Sequence, residues 1–294
     1  MIKIGQSIHA WWVQGDLDRL DQEIQEIQLA GADSCELILH GLDVIIGGRI
    51  IESRQKEVLE ILDKHNLEYT LHLPYNLNVL DRKMFEQYLN VFLAGIAFAK
   101  AANIKVIVYH PGTTGIDDAF LFLKEAGLMR QLAREAPDIL FCMENQPLFN
   151  NESSVAKSPE TMIEFCKHVG VPNFKLTFDV GHSFLANQGD KRALLNDLDK
   201  LLPYIGHFHL HDNCGIKDQM SSFDANHRII SGASDLHLPL GWGDIPFEDI
   251  LSRLGNFDGI INLEIEHRFR NHYKDCISYI RQQLAKCNLQ SPAA

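Results

Sequence analysis

Apolar runs along this chain repeatedly end in an imidazole or a carboxylate. His72 falls in Leu71-His-Leu-Pro-Tyr-Asn-Leu-Asn78, His110 in Val108-Tyr-His-Pro-Gly112, and Glu144 in Cys142-Met-Glu-Asn145. Asp179 and His182 follow in Phe178-Asp-Val-Gly-His182, then His209 in His207-Phe-His-Leu-His-Asp212, Asp235 and His237 in Asp235-Leu-His-Leu-Pro-Leu-Gly-Trp-Gly243, and Glu264 in Asn262-Leu-Glu264. Nitrogen and oxygen donors with almost no cysteine suit zinc, manganese, cobalt or magnesium rather than a thiophilic site. Two carboxylates at one site also supply the base and the acid that a proton transfer needs.

Each residue has an ordinary alternative. A lone His beside a strand is more often hydrogen-bonded in the core than a ligand, and Asp179 reads equally as a helix N-cap. Glu144 resists such treatment, because a carboxylate ending the apolar Phe141-Cys-Met is buried unless paired or bound to metal. On the last strand Asn262, Glu264 and Glu266 share one face, and on the seventh His207, His209 and His211 do, with His207 read as interior packing.

Eight aliphatic runs are candidate strands: Ile2–Gly5, Ser34–Leu39, Glu68–Leu73, Ile104–His110, Ile139–Glu144, Phe174–Asp179, Ile205–His211 and Gly259–Ile265. Between them helical periodicity marks Leu17–Ala30, Ile51–Lys64, Arg82–Ala102, Asp117–Glu135, Pro159–Val169, Lys191–Leu202, Phe247–Leu254 and Asn271–Lys286. Parallel neighbours need a crossover, so the alternation predicts an α/β fold, a single (β/α)8 TIM barrel over residues 1–294. A doubly wound open sheet uses the same units. The barrel is favoured because no G-x-G-x-x-G turn follows the first strand and ligand-type residues end most strands. The stretch Asp212–Pro246 lacks periodicity and is expected to lie over the active face as a long loop. The tail Ser291-Pro-Ala-Ala is expected to fray.

The chain has 294 residues, 46% hydrophobic and 22% charged, with a formal charge of -12. That balance disfavours anionic membranes and nonspecific nucleic-acid binding, although a nucleic-acid substrate stays open. No apolar run reaches a membrane span and no signal-peptide pattern is visible, so a cytoplasmic protein is expected. Six dispersed cysteines without a C-x-x-C pair indicate neither a disulfide framework nor a thiolate zinc site. Oligomeric state is not specified.

These motifs, in this order, resemble the xylose-isomerase-like barrel superfamily, which includes sugar isomerases and epimerases and endonuclease IV. By resemblance to the sugar enzymes, Glu144, Asp179, His209 and Glu264 would hold one divalent ion on an open-chain ketose. Glu144 and Glu264 would exchange a proton through an enediolate while His182 holds a substrate oxygen. Resemblance to endonuclease IV is sharper in its residues: His72, His110, Glu144, Asp179, His182, His209, Asp235, His237 and Glu264 match nine ligands that bind three zinc ions there. The chain departs from that family at Ser183–Ala186, at His211-Asp-Asn-Cys214, at Leu236 and at Gln6–Trp12, which are positions associated with the DNA. The expected function is therefore a divalent-metal-dependent isomerase or epimerase of a small carbohydrate, with zinc or manganese as cofactor. One ion is expected in that case. The alternatives are a phosphoesterase with up to three zinc ions that cleaves abasic-site DNA, and a non-catalytic metal-binding barrel. Trp11, Tyr75, Asn78, His211 and Trp242 are the expected substrate contacts, since ring faces pack on sugar C–H surfaces. Lys217, Arg228 and Arg268 are the candidate phosphate partners.

Overall fold

The computed structural model describes residues 2–115, 118–147, 153–217 and 225–290. Asp117 of the expected fourth helix, residues 218–224 of the long connection and the tail Ser291–Ala294 lie outside the described residues. Eight parallel strands close into a barrel: β1 (Lys3–Ser7), β2 (Ser34–Ile38), β3 (Glu68–His72), β4 (Val106–Tyr109), β5 (Leu140–Glu144), β6 (Phe174–Asp179), β7 (Ile205–Leu210) and β8 (Ile260–Leu263). Each pairs with its sequence neighbours, and β8 returns to β1 with Ile4 opposite Ile261. The strands alternate faces. On β7, Phe208 points outward to pack edge-on against Phe178 and Phe257, which leaves His207 and His209 inside.

Helices α1 (Leu17–Leu29), α2 (Glu52–Leu62), α3 (Phe85–Ala101), α4 (Ala119–Glu135), α5 (Pro159–Val169), α6 (Val180–Ala186), α7 (Lys191–Leu201), α8 (Ala225–Ser231), α9 (Phe247–Ser252) and α10 (Tyr273–Gln290) follow in chain order. Local chemistry sets their ends. Asp16 accepts from the backbone N–H groups of Asp18 and Arg19 to start α1, and Asp190 does the same for α7. Ser158 and Thr161 form a reciprocal capping box for α5, whose first residue is Pro159 and which stops at Gly170 with φ 61°. Leu20, Ile24 and Ile27 of α1 are fully buried against the sheet, each contributing about 1.5–3 kcal/mol of transfer free energy.

Among the elements not anticipated are the one-turn helix Ala10–Val13, the ribbons Ile45–Ile46 with Arg49–Ile50 and Thr113–Thr114 with Ser153–Ser154, and the short helix α6 directly after β6. The Asp212–Pro246 connection also differs from a plain loop. It holds α8, and Asp212 bridges Leu238 while Ile216 bridges Ala233. Seven residues are too few for helical periodicity to stand out in sequence.

Candidate metal centre

A closed parallel sheet brings every strand's C-terminal end to one rim. His72, Glu144 and Asp179 are the last residues of β3, β5 and β6, His209 lies near the end of β7, and His110 and Glu264 directly follow β4 and β8. One ligand atom from each of Glu144, Asp179, His209 and Glu264 lies within 4.8 Å of the others, and all four residues are buried.

Two flanking groups adjoin this quartet. The Nε2 atoms of His72 and His110 approach the same Glu144 oxygen, Oε2, at 3.0 and 3.2 Å. Those of His182 and His237 approach Oδ2 of Asp235 at 3.2 and 2.9 Å. His211 Nε2 sits 3.3 Å from Asp179 and 3.4 Å from Asp235.

The other ring nitrogens explain the arrangement. Nδ1 of His72, His110, His182 and His237 faces the backbone carbonyls of Leu73, Tyr75, Asn145 and Glu264 at 2.6, 3.2, 2.9 and 2.7 Å. With Nδ1–H donating to a carbonyl, a neutral ring presents a lone pair at Nε2, which is how a metal-ligating histidine is held. An Nε2 aimed at a carboxylate oxygen requires positive charge between them, carried either by a second proton on the ring or by a bound cation. Burial alone would push the Glu144 and Asp235 carboxyls up, but His209 and His110 around the first, and His237 and His211 around the second, hold both well below the usual range. His237 is in turn pushed up to about 10: burial lowers it, and the Asp235 charge outweighs that. Among the described residues Asp179 Oδ2, Asp235 Oδ1 and both nitrogens of His209 and His211 are buried without a hydrogen-bond partner. Such orphaned donors, all nitrogen and oxygen, fit a divalent cation.

Asp179 reconciles its two readings. Oδ1 accepts from the His182 backbone N–H at 2.6 Å and caps α6, while Oδ2 is left facing the quartet. Gly181 follows because an added Cβ would lie 2.0 Å from the His211 ring.

Glu36 was missed. It lies in the middle of β2 between Cys35 and Leu37, fully buried inside the barrel. Thr70 Oγ1 and Asn262 Nδ2 donate to it at 3.0 and 3.3 Å, and the Nε2 atoms of His207 and His209 stand 3.2 and 3.0 Å away without hydrogen-bond alignment. His209 therefore turns Nδ1, not Nε2, toward the quartet, 3.3 Å from Glu144 and 3.6 Å from Glu264. The available signal was a charge flanked by apolar residues in mid-strand, which has to point into the barrel.

Asp212 anchors the connection that carries Asp235 and His237. Its Oδ2 accepts from the backbone N–H groups of Gly241 and Gly243 at 2.8 and 2.9 Å. Gly243 cannot carry a side chain, because a Cβ would meet the Asn213 carbonyl oxygen at 2.3 Å.

A cavity of about 580 Å³ opens above the centre, within the range of small-molecule sites. Glu144, His182, Asp235, His237 and Glu264 line it, together with Trp11, Tyr75 and Arg228. Tyr75 packs across the His72 and His110 rings. Three expected substrate contacts do not line this cavity. Asn78 instead donates to the Thr113 carbonyl and accepts from Leu80 N–H, which braces the loop after β3. Trp242 packs edge-on against Phe269 and His272. His211 is fully buried, stacked on His237 at 4.0 Å, and belongs with the donor atoms.

The model of the xylose isomerase-like TIM barrel family matches residues 24–283. The chain belongs to that family. Within reach of this xylose isomerase-like barrel is the uncharacterized protein MJ1311 of Methanocaldococcus jannaschii, 24% identical over 84% of this chain and 79% of the relative. Among solved structures, a D-tagatose 3-epimerase-like protein aligns at 21% identity over 97% of this chain and 99% of its own, with a TM-score of 0.71. L-ribulose 3-epimerase aligns at 14% over all of both chains, also with a TM-score of 0.71. A xylose isomerase-like TIM barrel protein from Mycobacterium smegmatis in complex with magnesium aligns at 15% over 98% of each, TM-score 0.72. These likenesses show a shared barrel. Among the described residues no helix is long and apolar enough to cross a membrane.

Proposed function

We propose that this chain is a divalent-metal-dependent isomerase or epimerase of a small carbohydrate. The observation that carries the reading is the quartet of Glu144, Asp179, His209 and Glu264, which offers two reactive carboxylates within 4.8 Å at the base of a cavity. Those four residues would hold the ion, zinc or manganese being suited to the donors, and the ion would polarise a substrate carbonyl as a Lewis acid. Glu144 and Glu264 then act as a pair. One takes the proton from the carbon beside the carbonyl, and the other returns a proton to the neighbouring carbon or to the opposite face of the same carbon. His182 lines the cavity between them and the Asp235 group, where its ring can hold a substrate oxygen. Trp11 and Tyr75 supply ring faces for C–H surfaces and narrow the access of water. The magnesium complex and the sugar 3-epimerases among the structural neighbours support both parts of this reading.

Solvent deuterium exchange on a panel of ketoses with the metal-loaded protein tests it. Uptake at the carbon beside the carbonyl is expected, and no uptake on any ketose would sink the reading.

A second reading, a phosphoesterase with several zinc ions, is favoured by one observation: two pairs of Nε2 atoms converge on Glu144 Oε2 and Asp235 Oδ2. Elemental analysis separates the two. One ion per chain, unaffected by His110→Ala, supports the mononuclear isomerase; three ions, one of them lost in His110→Ala, with cleavage of an abasic-site duplex, would establish the phosphoesterase.

A further inference from the structure

The cavity walls are imidazole, carboxylate and apolar with Ser7 and Gln14, and among the described residues that line them Arg228 is the one permanent cation. Arg228 lies in α8 and opens onto the same space as Glu144, Asp235 and Glu264. Among the described residues its Nε is buried without a hydrogen-bond partner. Among the described residues the carboxylates of the cavity face other groups: Glu144 faces His110, Asp235 His182 and His237, Glu264 His209, and Glu266 Arg268. A guanidinium N–H held out of bulk water without an acceptor is costly, and one on a half-buried Arg that borders a ligand cavity finds its acceptor on the ligand. Its planar fork of donors matches a phosphate or a carboxylate through two parallel N–H···O bonds.

We propose that Arg228 is the anion-recognition residue of this cavity, so that the substrate is a carbohydrate derivative carrying a phosphate or carboxylate outside its reacting carbons. The carbohydrate part rests on the isomerase or epimerase reading, while the anion subsite stands on Arg228 itself. It predicts a preference that an uncharged ketose cannot satisfy.

The test compares the metal-loaded wild-type protein with R228Q and R228K, each checked for folding by circular dichroism and for bound metal. Solvent deuterium exchange is measured on D-ribulose 5-phosphate, D-fructuronate and the uncharged D-tagatose. One charged probe is expected to exceed D-tagatose in kcat/KM by about tenfold or more, and which one does so identifies the anion. R228Q is expected to erase most of that ratio, chiefly through KM, and R228K to restore part of it. Equal handling of charged and uncharged probes, or an equal loss on both in R228Q, overturns the proposal. If no ketose exchanges, the underlying reading fails and the subsite is judged by calorimetry with inorganic phosphate and with acetate. Binding of either that weakens about tenfold in R228Q upholds the subsite; binding of neither, or binding unchanged in R228Q, overturns it.

Discussion

Two clusters in this barrel are built from the same residue types and end in opposite conditions. Beside the rim, Glu23 of α1 is fully buried, and its Oε1 takes the His9 backbone N–H at 3.1 Å, His9 Nδ1 at 3.2 Å and His267 Nδ1 at 3.3 Å. Trp12 stacks on the His267 ring at 4.3 Å and Arg19 lies over Trp12. Hydrogens point at the carboxylate there, and it fastens the loops after β1 and β8 to α1. In the candidate metal centre Nδ1 of His72, His110, His182 and His237 faces a backbone carbonyl, and it is Nε2 that approaches a carboxylate. Which ring nitrogen faces the acid therefore separates a fastening from a binding site, and residue type alone does not.

The largest test of that contrast exchanges carboxylate for amide at the centre. On the proposed reaction each of Glu144→Gln and Glu264→Gln would remove a proton-transfer group, and each should lower turnover by about 10²–10⁴-fold, read by steady-state kinetics. Activity surviving both changes would place the chemistry elsewhere. Glu23→Ala should do the reverse: it leaves the buried His267 and the half-buried His9 imidazoles without their acceptor and costs roughly 3–5 kcal/mol in urea unfolding, with metal content unchanged. Loss of bound metal in that variant would merge the two clusters into one system. Gly181→Ala presses a methyl group into the His211 ring, and chelator competition should show metal affinity weakened by about 10–100-fold.

A third carboxylate sharpens the comparison at the smallest scale. Glu125 of α4 is buried with one donor, the Gly112 N–H at 2.8 Å, and no imidazole. Burial pushes it up to about 8, with the Gly112 N–H opposing. Its folded value lies above the unfolded one, so the stability it contributes is full below about 4.5 and is lost as pH rises through about 8. Glu125→Gln should flatten that decline and stabilise the protein at neutral pH by on the order of 2 kcal/mol, measured as unfolding free energy against pH. An unchanged slope would show that Glu125 is not what titrates.

The barrel was legible because parallel strands buried on both faces need long apolar runs, and these stand out between amphipathic helices. The predicted spans Phe174–Asp179 and Pro159–Val169 match the observed elements, the second because Ser158, Pro159 and Gly170 mark both its ends. Six of the predicted ligand residues, His72, His110, Glu144, Asp179, His209 and Glu264, come to one rim because strand-end position is a property the sequence pattern carries, while His182 arrives on α6 and Asp235 and His237 on the long connection. Contacts that depend on how loops fold back were not legible. Asn78 and Trp242 lie near the mouth in sequence terms, yet one braces its own loop and the other packs against the segment after β8. Glu36 escaped for a different reason: reading only strand ends overlooks an acid in mid-strand, although its burial requirement is the same as that of Glu144.

The divided carboxyl of Asp179 ties occupancy to local order. A cation gripping Oδ2 would also restrain the oxygen that receives the His182 amide, so part of the binding free energy is stored as rigidity in the opening turn of α6. Amide hydrogens of Val180–Ala186 should then exchange more slowly in the loaded protein and faster after chelation, which makes that short segment a built-in gauge of whether the centre is filled.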